Sequence, residues 1–120
     1  MPASILIACD GTISDVSLLT AANPLAVKRE WLNCRLVDCV ALDKGLDMWI
    51  SDEGINDGEP VNRVATKLAI RYGLMVQPYF GPALICGVTA HGRSIDLTDH
   101  KRQELQQILS TLRAGAVVSR

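Results

Sequence analysis

The stretch from Gly45 to Gly73, GLDMWISDEGINDGEPVNRVATKLAIRYG, constrains the fold more than any other. Leu46, Met48 and Ile50 alternate with Asp47, Trp49 and Ser51. That is the pattern of a strand with one buried face. Beyond an acidic loop, Val61, Val64, Ala65, Leu68 and Ala69 recur at helical spacing as far as about Tyr72. Gly73 then suits a helix C-terminal cap. A half-buried strand needs partner strands, and an amphipathic helix needs a surface to cover. A sheet with helices packed on it satisfies both.

The rest of the chain supplies the partners. Ser4 to Cys9 reads as a strand, and Asp10-Gly11 as the turn that returns it through Ile13 to Leu18. Asn23-Pro24 opens a helix, because Asn accepts from an orphan N–H and Pro is tolerated in a first turn. Leu25, Val27, Trp31 and Leu32 are its expected apolar stripe, ending at about Asn33. Arg35 to Asp43 is a third strand, joined to the fourth through Asp43-Lys44-Gly45. Ala83 to Thr89 is uniformly apolar, so it belongs at the centre of the sheet. Ile95 to Leu97 reads as a brief edge strand. Thr98 caps a last helix with Asp99 in its first turn, where a negative charge suits the helix dipole. Its core face is Leu105, Ile108, Leu109 and Leu112.

The predicted order is ββαββαβα. It implies a single α+β domain over residues 1–113, with a largely antiparallel or mixed sheet of about five strands. The helices are expected to cover one face, and residues 114–120 to form a flexible tail. The length of 120 residues fits one core.

Composition narrows the function classes. Hydrophobic residues make up 48% and charged ones 21%, which excludes a disordered chain. A net charge of -1 argues against a surface that coats nucleic acid. No apolar run is long enough to span a bilayer, and no signal peptide is expected. Cys9, Cys34, Cys39 and Cys86 form no C-x-x-C pair, and each lies in or beside an apolar run. Reduced, shielded thiols in a cytoplasmic protein are expected. His91 and His100 stand apart from them, so no zinc site and no other metal is expected.

No complete catalytic motif is present, and no catalytic residue is assigned. The candidate residues are instead binding residues. Asp52, Glu53, Asp57 and Glu59 form an acidic loop whose spacing does not match a calcium loop. Arg63, Lys67 and Arg71 recur every fourth residue and share one side of a helix, as a stripe for phosphates or an acidic surface requires. Asn62 stands at the helix start, where it serves as a cap or, with the helix N-terminus, as an anion contact. Trp49 shares a face with polar neighbours, so it lies under a helix or loop or is exposed for binding.

Several of these segments together resemble a known family. G-L-D-M-W-I-S-D-E-G, P-V-N-R-V-A-T, R-Y-G and G-P-A-L-I-C-G are similar to domain of unknown function 3846. The similarity runs from the first strand to Leu97-Thr98. Its most specific part is Asp52-Glu53-Gly54 followed by Pro60-x-Asn62-x-x-Ala65-Thr66. Members often carry Gly-Gly between the first helix and third strand, where this chain has Asn33-Cys34. The resemblance implies a small cytosolic accessory protein of phages, plasmids or actinobacterial genomes, and it implies no reaction.

The expected function is therefore non-enzymatic: binding a host macromolecule or a small phosphorylated ligand, without a cofactor. The contact residues are Trp49, Asp52, Glu53, Asn62, Arg63, Thr66, Lys67 and Arg71. Two alternatives stand beside it. One is an enzyme acting on a phosphorylated substrate through the acidic loop and Asn62. The other is a homo-oligomeric structural protein.

Overall fold

The computed structural model describes residues 3–18, 24–54 and 58–118, without the side chains of 24–26 and 114–118. The element order is β1 (Ser4–Ile7), β2 (Ile13–Val16), α1 (Pro24–Leu32), β3 (Val37–Asp43), β4 (Leu46–Ser51), α2 (Arg63–Arg71), β5 (Ala83–Val88), β6 (Ser94–Ile95) and α3 (Asp99–Val118). The fold is α+β, as expected, and the sheet has six strands, counting the brief β6. The path runs β2-β1-β5-β4-β3, with β6 paired to β5. Every pairing is antiparallel. Of the expected tail, 114–118 continue α3 in the backbone, and their side chains, residues 119–120 and the expected cap at Asn23 lie outside the described residues.

Turn chemistry fixes both hairpins. Gly11 takes φ 91° after Asp10, whose carboxylate accepts from Thr12 N at 2.9 Å. Gly45 takes φ 76° between β3 and β4. Asn33, at φ 51°, is the one non-glycine residue with positive φ among the described residues. It ends α1, and Asn is the residue that best replaces Gly in that conformation.

The apolar β5 lies at the centre of the path. Ala83 and Ile85 face one way, with Ile5, Ile7, Met48 and Ile50 beside them. Val64, Ala65, Leu68 and Ala69 of α2 close that core, together with Leu105 and Leu109 of α3. Leu84 and Cys86 face the other way and meet Leu32 of α1 together with Val16 and Leu18.

The helices therefore divide between both faces, which corrects the expectation of one covered face. A central strand that is apolar on both sides must be covered on both. The buried side of α1 also differs from expectation. Lys28 and Leu32 are buried, four residues apart on one face, while Trp31 turns outward. A buried tie strengthens the second layer. The Asp96 carboxylate accepts from Ser4 Oγ at 2.7 Å, Ser17 Oγ at 3.1 Å and Leu18 N at 2.9 Å.

Candidate functional site

The expected contact residues separate into four places, the α2 N-terminal end, the α1 side of the sheet, the α2–α3 groove and the acidic loop. The first is the N-terminal end of α2. Asn62 is fully buried and caps the helix, its Oδ1 accepting from Ala65 N at 3.0 Å. Its Nδ2 donates to Ile7 O and Gly81 O, both at 3.0 Å. Both protons of the amide and one acceptor site are used, and none of the side chain reaches the surface. Thr66 is engaged in the same way. Its hydroxyl donates to Asn62 O at 2.8 Å and accepts from Tyr79 N at 3.0 Å. These two residues tie α2 to β1 and to the segment leading into β5.

The second place is the α1 side of the sheet. Strand register brings Trp49 beside Leu84, and Asp47 beside Cys86. Lys28 reaches down from α1, with Nζ 3.5 Å from the Trp49 ring centroid and donating to Ser94 Oγ at 2.7 Å. Of the two positions expected for Trp49, the structure shows the one under a helix. Burial lowers the Lys28 pKa. Burial likewise pushes the Cys86 thiol up to about 11, and partial shielding of the sulfur, with Asp47 beside it, pushes the Cys39 thiol up to about 12 although the residue as a whole is exposed. Lys28 was missed as a buried residue, although its four-residue spacing to Leu32 was visible.

The cysteines need one correction. No disulfide forms among them, but Cys39 is exposed on β3, an edge strand of the sheet. Cys9 and Cys34 are half-buried and Cys86 is buried.

The third place is the groove between α2 and α3. Lys67 and Arg71 line it with Ile70 and Leu112, around an open volume of about 490 Å³. Arg63 is exposed one turn earlier on α2. The basic stripe thus lies beside an aliphatic floor made by Ile70 of α2 and Leu112 of α3. Leu112 was expected in the core face of that helix, and Ile70 was not singled out.

The acidic loop does not join this groove. Asp52 is exposed at the end of β4, and its N–H donates to Leu36 O at 2.9 Å. Glu53 is half-buried and pairs with Arg35 at 3.6 Å. Glu59 is half-buried, and Asp57 lies outside the described residues. Among the described residues, no group of three His, Cys, Asp or Glu side chains could hold a metal ion. No helix among them is long and apolar enough to cross a membrane.

A protein-family model matches residues 4–110 of the chain, and its description is Domain of unknown function (DUF3846). No curated protein and no solved structure matches.

Proposed function

The chain belongs to the DUF3846 family, and from that premise we propose that it is a non-enzymatic binding protein whose α2–α3 groove holds an acidic segment of a host protein. One observation carries this reading: Lys67 and Arg71 flank a floor made by Ile70 and Leu112. Cations beside aliphatic side chains match a segment with carboxylates on one side and apolar anchors on the other. A small phosphorylated ligand draws on the same cations but leaves the aliphatic floor unused. The catalytic alternative loses its amide, because Asn62 is buried and fully engaged. In this reading the protein serves a phage or another mobile element inside a host cytoplasm. The family resemblance supports that setting, and so does the absence of disulfides among the four cysteines.

The test is fluorescence anisotropy with a labelled helical peptide that carries Glu on one face and Leu on the other. Binding should weaken with added salt. Lys67→Gln with Arg71→Gln should weaken it about tenfold or more and flatten the salt dependence. Ile70→Ser should weaken it without changing the salt slope. Unchanged affinity and slope in the double variant would refute the groove. An Ile70→Ser variant that binds normally would refute the aliphatic contact and leave the phosphorylated ligand as the better occupant.

A further inference from the structure

A second cavity lies between the edge strand β3, the end of β4 and the segment that leads into β5. Asp38 of β3, Ile50 and Ser51 of β4, and the turn residues Asp52 and Gly54 form one wall. The segment Gln77, Pro78, Tyr79 and Phe80 forms the other. The volume is about 310 Å³, at the small end of the range for ligand pockets.

The lining is asymmetric. Ile50 and Tyr79 are buried and make an apolar floor, while Asp38 and Asp52 are exposed at the rim. No basic side chain lines the cavity among the described residues. The ion pair of Arg35 with Glu53 leaves both rim carboxylates out. One Asp38 oxygen accepts from Cys39 N at 2.9 Å, and the other is open to a ligand. Gln77 uses its Nε2 on the Tyr79 hydroxyl at 3.0 Å, which leaves its carbonyl oxygen as a further acceptor.

The walls are also held in place. Tyr79 O accepts from Asn62 N at 2.7 Å, and Tyr79 N donates to Thr66 Oγ1. Gly54 approaches the Phe80 backbone so closely that a Cβ there would stand 2.9 Å from Phe80 O. A preformed cavity of this kind loses little entropy on binding.

We propose that this cavity binds a small organic cation: an apolar body, best an aromatic ring, carrying a primary ammonium on a short stem. The body fills the space over Ile50 and Tyr79, and the ammonium sits at the rim between Asp38 and Asp52. A concave volume with Ile50 and Tyr79 at its base distinguishes the site from a solvated acidic surface. It also separates the site from a metal centre, which would need several converging oxygens and no apolar floor. The site is independent of the α2–α3 groove and survives if that reading fails.

The experiment is a two-dimensional amide NMR titration of the full chain with phenethylamine, against phenylacetate and calcium chloride at equal concentration. Phenethylamine should shift the amides of Ser51, Asp52, Gly54, Gln77, Tyr79 and Phe80, with weak millimolar affinity. Phenylacetate and calcium should leave them in place. Asp38→Asn with Asp52→Asn should weaken phenethylamine binding about tenfold. Both residues are exposed, so the spectrum of the free variant should keep its dispersion. If the double variant nonetheless unfolds, Asp38→Asn and Asp52→Asn are read singly on the folded chains, and each should weaken phenethylamine binding. The proposal is overturned if those amides do not move, if phenylacetate or calcium moves them equally, or if removing the carboxylate charges leaves affinity unchanged.

Discussion

Asn62 is where sequence, fold and stability meet most directly, and Asn62→Ala is the sharpest perturbation. The substitution removes three hydrogen bonds from a fully buried position. Losing the cap on Ala65 N costs about 1 kcal/mol. Losing the donors to Ile7 O and Gly81 O adds roughly 1–2 kcal/mol for each carbonyl, the lower half of the usual range because a carbonyl has a second lone pair. The sum is about 3–5 kcal/mol, a large part of the roughly 5–15 kcal/mol that stabilises a domain. The midpoint of a thermal melt should fall by on the order of 10–30 °C.

The assay is urea unfolding followed by tryptophan fluorescence, since Trp49 lies beneath α1 and reports on loss of the fold. Asn62→Asp isolates the donors, because it keeps an acceptor for Ala65 N and removes the N–H groups. It should also destabilise strongly. The reasoning is refuted if Asn62→Ala loses only about 1 kcal/mol, the value for a cap alone, or if Asn62→Asp is as stable as the parent. Either result would mean that the two carbonyls do not depend on this side chain.

Gly54→Ala should lower stability by about 1–3 kcal/mol in the same urea assay, because the added Cβ meets backbone at Phe80 O and not the end of a flexible side chain. An unchanged midpoint would show that the turn yields freely. Stability should also fall in alkali as pH rises from about 9 towards 11. The Cys86 thiol is held up to about 11 in the folded chain against an ordinary value of 9.0, so the unfolded chain releases its proton first. Cys39, at about 12, acts in the same direction, and Lys28, lowered by burial, acts in the opposite one. Cys86→Ala should make the decline shallower in denaturation curves taken across that range, and a variant curve parallel to the parent's would refute the assignment.

The amino-acid sequence by itself determined the local elements. Period-2 alternation in Leu46–Ser51, the helical repeat of Val64, Ala65, Leu68 and Ala69, and the turns at Gly11 and Gly45 all appear where local pattern puts them. They do so because each depends on backbone sterics and on which side of one element is apolar. The uniformly apolar Ala83–Val88 likewise announced its central place. The antiparallel α+β class followed from the two hairpins.

Only the tertiary structure decided which side chains meet. Arg63, Lys67 and Arg71 are visible as a stripe, but Leu112, which helps to floor the groove beside Lys67 and Arg71, lies on α3, remote in the chain. Asp38 and Gln77 share a cavity because β3 ends the sheet and the chain between α2 and β5 passes its edge. Asn62 has the local signature of a cap, yet its two further bonds go to Ile7 and Gly81, which only the packed sheet brings within reach. Lys28 is buried because the second face of β5 requires a cover. Periodicity reports the environment of one element. Cavities, buried polar ties and the face a helix covers arise from the packing of several elements, and no single stretch of chain encodes them.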